Sequence, residues 1–280
     1  MLRIFSIIFS YFIIVDNLLE KITNISIVRF IYSQYLVNCY FELLLLKKKT
    51  LFFCPTKETK LRTNTFLKKE PGTIRWVNNF IGKNIIFWDI GSNIGLYSIY
   101  AAIKHKDINI ICFEPSLSNL RILSRNIYVN KLSKKISICQ LPIIKNNYQF
   151  TYFTESQFID GSALNYTSNS FSFTKHKYNN TYQVLGSSLN NFSKINKFKF
   201  PNYIKIDVDG LEHLIIAGAT KILRSREVKE IMIETNMYNQ KKKKFIFSQL
   251  TKNKFFLVNK YNSDVNNPNC KDYNFLFKKN

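Results

Sequence analysis

Acidic side chains are scarce in this 280-residue chain, 18 against 41 basic ones, for a formal charge of +23. Such an imbalance suits nucleic acid or an anionic membrane surface as a partner. Composition offers a second explanation, because Lys, Asn, Ile, Phe and Tyr are abundant while Ala and Gly are scarce, as an AT-rich coding bias produces. Charge by itself therefore selects no partner. Histidine is scarcer still: His105, His176 and His213 fall without metal-ligand spacing, so no zinc site is expected. The five cysteines (Cys39, Cys54, Cys112, Cys139, Cys270) are odd in number and form no C-x-x-C pair. Cys112 and Cys139 sit inside apolar runs and read as small buried hydrophobes in a reducing compartment. Long apolar runs are also missing. In the apolar first 50 residues the uncharged run Ile4 to Val15 has twelve residues, and a spanning helix needs about 20. Arg3 precedes it as in a signal peptide, but no small-residue cleavage site follows.

What acids there are stand in telling places. F-W-D-I-G-S-N-I-G-L-Y-S (Phe87 to Ser98) is an apolar run ending in an acid, a glycine-bearing turn and the start of an amphipathic segment. A strand delivers a nucleotide-like cofactor to a helix in this way. Glu114 ends the next apolar run, 25 positions after Asp89, near the roughly 20 that separate the glycine turn from the ribose-binding acid of a nucleotide-binding βαβ unit. The turn has only Gly91 and Gly95, where dinucleotide folds need G-x-G-x-x-G to touch a pyrophosphate. An acid just before the loop suits a cation better than a phosphate. S-adenosylmethionine fits, with its sulfonium, ammonium, small carboxylate and a ribose diol for Glu114. Six of the 18 acids (Asp89, Glu114, Asp207, Asp209, Glu212, Glu234) lie at or beyond the C-terminal ends of expected strands, where open parallel sheets bind ligands.

The order of elements predicts the fold class. Strands are expected at 85–90, 109–114, 136–140, 202–207 and 229–234, and helices from about 95, at 116–130, at 211–223 and from about 239. Strands near 254–259 and 273–278 close the chain. Alternation of this kind gives a parallel α/β sheet, and two closing strands after the last helix give it an antiparallel partner. Residues 146–186 break the rhythm with Tyr148 to Phe153 and Thr181 to Leu185 as strands around a polar loop, an insertion able to cover the crevice and meet the acceptor. A domain boundary is placed near residue 80, giving an N-terminal helical, apolar extension and lid (1–80) and a catalytic domain (81–280). Within the extension, Ile25 to Leu46 followed by Lys47–Lys49 suits an interfacial helix with a basic flank, or equally a helix packed as a lid or dimer contact. Pro71-Gly72 marks a turn. Lys241 to Lys244 reads as a solvated helix face.

Y-I-K-I-D-V-D-G-L-E-H (Tyr203 to His213) packs a second set of charged groups around a strand end. Alternation sends Lys205 and Asp207 to one face, and Glu212 opens the next helix, where an acid also favours the dipole. With Asp89 to Ser98, Glu114-Pro115 and K-I-D-V-D-G-x-E-x-x-x-x-x-G-A, the chain resembles the FkbM family of S-adenosylmethionine-dependent O-methyltransferases from roughly Lys69 to Glu234. K-E-P-G-T (Lys69 to Thr73) and I-M-I-E (Ile231 to Glu234) look like further family elements. The resemblance implies the class I methyltransferase, Rossmann-like fold: a seven-stranded, mostly parallel sheet with helices on both faces. It implies that Asp89, Gly91, Asn93 and Gly95 hold the methionine end and Glu114 the ribose. Ser92, Tyr97 and Ser98 of the same segment complete the candidate cofactor-binding set. Asp209 stands where the family commonly has glutamate, and L-N-N (Leu189 to Asn191) replaces its usual L-D-D, which removes a carboxylate at Asn190.

The expected activity is O-methylation of a sugar, glycan, glycolipid or other small-molecule hydroxyl. An alcohol needs a general base, worth about 10²- to 10⁴-fold, and Asp207 and Asp209 are the candidates. Lys205 restrains their charge or orients the acceptor, with Glu234 in support. Metal-assisted catechol-type methylation would instead use Asp207 and Asp209 as Mg²⁺ ligands. An RNA methyltransferase is prompted by the charge, but D-V-D-G stands where base-directed enzymes often carry an N-P-P-Y-type loop that stacks the extruded base. A non-catalytic membrane-surface adaptor would leave Asp89, Glu114 and the paired aspartates without purpose. The expected partner is thus a small-molecule or glycan acceptor rather than nucleic acid, the expected compartment the cytoplasm, and residues 1–50 are a candidate peripheral membrane contact.

Overall fold

The computed structural model describes residues 2–168, 180–195 and 199–280, so His176 lies outside the described residues. The chain separates into two units, Met1–Tyr40 and Phe41–Asn280. The first holds helices α1 (Leu2–Thr23) and α2 (Ile27–Asn38). Asn24, at φ 57°, ends α1 in the left-handed conformation and donates its N–H to Glu20 O at 2.8 Å. Ser26 caps α2 by accepting from the Arg29 N–H at 3.1 Å.

The second unit starts with the hairpin β1 (Tyr40–Leu45) and β2 (Lys48–Phe53), then α3 (Lys57–Lys69) and α4 (Pro71–Asn78). There follow β3 (Ile85–Ile90), α5 (Leu96–Lys104), β4 (Ile108–Phe113), α6 (Leu117–Val129) and β5 (Ile136–Cys139). Next come β6 (Gln149–Glu155), β7 (Tyr166–Ser168), β8 (Asn180–Gly186), α7 (Leu189–Phe192) and β9 (Tyr203–Ile206). The chain closes with α8 (Glu212–Ala217), α9 (Thr220–Arg224), β10 (Glu230–Asn236), α10 (Gln240–Lys252), β11 (Phe255–Asn262) and β12 (Asp272–Lys279). The main sheet runs β11-β12-β10-β9-β3-β4-β5, and β12 alone opposes the other strands. This is the parallel α/β sheet with one antiparallel strand expected from the alternating pattern, with the seven strands that the family resemblance implies. Strands β6, β7 and β8 form a separate antiparallel sheet in the order β7-β6-β8.

Period-two alternation along the central strands feeds two cores, one on each face. Ile85 and Phe87 pack with Tyr203, Met232 and the α4, α5 and α6 residues Trp76, Ile99 and Leu123. Trp88 and Ile90 pack on the other face with Ile204, Ile206 and the α8, α9 and α10 residues Ile216, Leu223 and Leu250. Each such side chain, fully buried, contributes about 1.5–3 kcal/mol. Burial on both faces fixes the register, since a one-residue slip would exchange the two cores. Asp89 and Lys205 are cross-strand neighbours in that register. The register thereby sets two charged groups side by side within an apolar sheet.

Several expectations are corrected. Compact units divide after residue 40, and within the extension placed at 1–80 the residues Leu45, Phe52, Phe66, Trp76 and Val77 are part of a sheet-face core. Ile25 to Leu46 is not one helix. Its C-terminal part is β1, and Leu46 and Lys47, at φ 50° and 64°, form a two-residue turn into β2. Lys47–Lys49 therefore belong to a hairpin and not to a helix flank. Pro71-Gly72 opens α4 instead of turning the chain, Pro71 being at a helix start where its missing N–H costs nothing. The helix expected at 211–223 is two, α8 and α9, divided at Gly218-Ala219. A Cβ at Gly218 would meet the carbonyls of Ile144 and Lys145 at 2.8 Å, so close backbone approach requires glycine there. Of the solvated lysine run, Lys242 instead turns back and donates to Gly210 O at 2.8 Å.

Candidate active site

Strand β3 lies between β4 and β9, and the chain leaves the sheet in opposite directions from these neighbours. Open α/β sheets bind ligands at such a switch point, beyond the strands' C-terminal ends. A cavity of about 600 Å³ occupies this place, within the roughly 300–1,000 Å³ of small-molecule sites. Gly91, Ser92, Asn93, Tyr97, Glu114, Lys205, Asp207 and Asp209 line it. Asp89, Gly95 and Ser98 do not.

The glycine loop is shaped by contact. Gly91 has φ +84°, and a Cβ there would sit 1.8 Å from Asp207 O. No side chain fits between the ends of β3 and β9. Gly95 has φ +85°, and its Cβ would lie 2.5 Å from Leu123 Cδ1, so it lets α5 approach α6. Ser98 Oγ donates to Asp89 Oδ2 at 2.6 Å, and Cys112 Sγ lies 3.0 Å from Ser98 Oγ. Asp89 Oδ1 is buried without a hydrogen-bond partner. Burial raises the Asp89 carboxyl above its ordinary range, against the pull of Lys205 and Ser98.

Glu114 is 5% exposed and held by backbone amides: Oε2 accepts from Asn93 N–H at 2.8 Å and Oε1 from Ser116 N–H at 2.9 Å. Burial pushes its carboxyl up to about 7 despite these donors. The loop that follows β6 is tied to the same place. Ser162 O accepts from Asn93 Nδ2 at 2.8 Å and from Asn119 Nδ2 at 3.3 Å, while Asn119 Oδ1 accepts from Gly161 N–H at 2.9 Å. Ser156, Gln157, Ser162 and Asn165 thereby become a polar cavity wall.

The other wall is an ionic cluster. Lys205 Nζ donates to Asp207 Oδ2 at 2.6 Å and lies 4.8 Å from the centre of the Tyr97 ring. Burial alone would lower the Lys205 pKa, but Asp207, Glu70 and Asp89 outweigh it and keep the ammonium charged. Burial likewise would raise Asp207, and the Lys205 ammonium more than offsets this, holding its carboxylate below the usual range. Glu234 moves the other way: burial and the nearby Asp207 and Glu70 raise it well above a normal carboxyl, so in its protonated form it donates a hydrogen bond to the Asp207 carboxylate. Glu70, raised by burial, accepts from Thr73 Oγ1 and Asn274 Nδ2, each at 3.0 Å.

Asp209 differs from Asp207. It sits in a left-handed turn at φ 54°, open to the cavity's solvent, with Oδ2 accepting from Leu164 N–H at 2.7 Å. The surrounding walls displace enough water, and Asp207 adds enough negative charge, to push it up to about 6. Glu212 is not in the cavity. It accepts from Gly210 N–H at 2.8 Å and Val208 N–H at 3.3 Å, so it fastens the turn that carries Asp209. Asn190 also stands elsewhere: its Oδ1 accepts from Lys221 N–H at 2.7 Å and caps α9.

Among the described residues, no group of three or more His, Cys, Asp and Glu is arranged to hold a metal ion. The reading of Asp207 and Asp209 as Mg²⁺ ligands finds one oxygen of each already taken, by Lys205 and by Leu164 N–H. Glu70 and Arg62 line the cavity without having been singled out. For Glu70 a signal existed, an acid before Pro-Gly in a chain poor in acids. Arg62, inside polar α3, carried none.

A parallel sheet in this order, with only β12 reversed and the cavity at the β3 switch point, defines a class I methyltransferase. The FkbM methyltransferase domain model matches residues 89–261. The chain belongs to that family, and its cofactor is S-adenosylmethionine. No curated protein matches the sequence. Solved structures of similar fold include precorrin-6y C5,15-methyltransferase from Geobacter metallireducens, at TM-score 0.45 and 10% identity over 75% of this chain and 87% of that one. An FkbM methyltransferase from Methylobacillus flagellatus gives TM-score 0.46 and 12% identity over 70% of this chain and 45% of that one. A putative tRNA methyltransferase from Streptococcus pneumoniae, in complex with S-adenosyl-L-methionine, gives 0.45 and 14% over 74% and 72%. Strand order and the family match carry the assignment, not these distant likenesses.

Proposed function

We propose that the protein methylates a hydroxyl of a sugar, glycan, glycolipid or other small molecule. The observation that carries this reading is Asp209, a carboxylate pushed up to about 6 at the wall of the cavity that Gly91 and Glu114 also line. A general base works best with a pKa near the operating pH. Bound S-adenosylmethionine supplies a methyl carbon carried on a positive sulfur. Glu114, its oxygens fixed by two backbone amides, would accept from the ribose hydroxyls. The Gly91 loop would receive the methionine end, and the Asp89 Oδ1 behind it, buried without a hydrogen-bond partner, would add negative potential toward the ammonium.

Asp209 would take the proton that the acceptor hydroxyl sheds as its oxygen bonds to the methyl carbon and the carbon–sulfur bond breaks, the sulfonium leaving as the neutral thioether of S-adenosylhomocysteine. Asp207, bound to Lys205 and held ionised below the usual range, is the weaker base of the two. It and Lys205 are positioning residues: their ion pair, backed by Glu234, fixes the turn on which Asp209 is carried. Ser156, Gln157, Ser162, Asn165 and Asn266 give the cavity hydroxyl and amide groups that match a hydroxyl-rich acceptor.

The test is incubation of the purified chain with methyl-labelled S-adenosylmethionine and separated glycan, glycolipid, small-molecule and RNA fractions. Label in an alkali-stable ether of a hydroxyl-bearing fraction is the expected result. Label confined to RNA bases would overturn the reading.

A further inference from the structure

We infer that the N-terminal unit is an interfacial anchor that immerses in an anionic phospholipid bilayer. Its polarity is inverted relative to a helix pair made for water. Among the described side chains of residues 4–40, Asp16, at 4% exposed, is buried, while Ile8, Phe12, Leu18, Ile22, Phe30 and Ile31 are 44–81% exposed. Two helices that folded around an apolar seam would show the reverse.

Both acids of the unit are engaged within it. Asp16 Oδ2 accepts from Ser26 Oγ at 2.5 Å and Oδ1 from Ile27 N–H at 2.8 Å, at the start of α2. Hydrogen bonding by Ser26 holds the Asp16 carboxyl below its ordinary range, so it stays ionised as an acceptor. Glu20 pairs with Arg29 at 3.1 Å. The acids thus serve the turn and an ion pair, and most of the large side chains exposed on the two helices are apolar.

The occupant follows from three observations. Apolar side chains at consecutive positions, Ile7-Ile8-Phe9 and Phe30-Ile31-Tyr32, are all exposed and point to successive sides of their helices. A protein partner covers one side of a helix, whereas acyl chains surround it. No helix among the described residues is long and apolar enough to cross a membrane, and α2, with 12 residues, is about 18 Å long against a hydrocarbon core of about 30 Å. The pair therefore lies in the interface. Residues 1–40 carry three basic and two acidic side chains, so the excess of positive charge belongs almost wholly to residues 41–280, with 38 basic and 16 acidic. Anionic headgroups attract that unit while the apolar one inserts.

Flotation of the full chain with phosphatidylcholine vesicles, with and without about a third phosphatidylglycerol, tests this. Most of the protein is expected to float with the anionic vesicles, and less with the neutral ones. The variant Ile8→Glu/Phe12→Glu/Ile31→Glu is expected to lose flotation at least tenfold while binding S-adenosylhomocysteine within twofold of the parent, which reports an intact catalytic unit. Flotation of the variant equal to the parent would overturn the inference. So would a parent that stays with the soluble fraction and sediments as a dimer which the three substitutions dissociate, since the apolar faces would then be covered by a second copy.

Discussion

Two aspartates two residues apart in one motif are shifted in opposite directions from the ordinary carboxyl range, and the reason lies in what each touches. Asp207 reaches a buried ammonium, while Asp209, displaced by a left-handed turn, faces the cavity with a peptide N–H and no cation bonded to it. Asp209→Asn is expected to lower kcat about 10²- to 10⁴-fold, leaving S-adenosylhomocysteine affinity within about tenfold by calorimetry. In the parent, kcat should rise with pH through about 6, because the base works only once deprotonated. A pH profile that keeps this limb in the variant would assign the proton to another group. Both aspartates line the cavity, but which of them is bound to a cation was not legible in D-V-D-G. Alternation places Lys205 and Asp207 together, as found, but ends with the strand, and Asp209 is positioned by a positive φ at a residue that is not glycine.

At the level of elements, β3, α5, β4, α6, β9 and β10 were readable because apolar residues at one period end in turn residues or acids. The glycine turn and Glu114 were legible for the same reason. The β1-β2 hairpin was not, since a two-residue turn with both φ positive usually advertises itself with Asn or Gly, and here Leu46 and Lys47 occupy it. Nor was the break between α8 and α9, which arises from contact of Gly218 with Ile144 and Lys145 far away in sequence. The glycine loop itself gives a sharp prediction. Gly91→Ala combines a left-handed φ with a Cβ placed 1.8 Å from Asp207 O, so β3 and β9 must part. A loss of at least about 2 kcal/mol is expected, read as a lower denaturant midpoint at unchanged m-value. A midpoint equal to the parent's would mean that the two strand ends are not in contact.

For the whole molecule, a crevice rich in acids inside a chain of charge +23 has a cost that pH exposes. Burial pushes Glu114 and Glu212 up to about 7 from 4.5. Between these values the folded state binds protons that the unfolded state has released, so stability falls as pH rises through the window. The denaturant midpoint of the cofactor-free protein should therefore be higher at pH 5.5 than at pH 8, by on the order of 1–3 kcal/mol in stability. Asp207, held low by Lys205, opposes this trend only below about pH 4, where its protonation removes stability. Glu212→Gln, which keeps an acceptor for Gly210 N–H, should flatten the dependence.

The central claim is that the crevice between the ends of β3, β4 and β9 holds the methyl donor, with Glu114 on its ribose. Calorimetric titration of the folded chain with S-adenosylhomocysteine tests it most directly. One equivalent should bind, and Glu114→Ala should weaken binding about 10- to 100-fold, the worth of hydrogen bonds to a charged group. Uptake unchanged by that substitution, or none by the folded parent, would contradict the account.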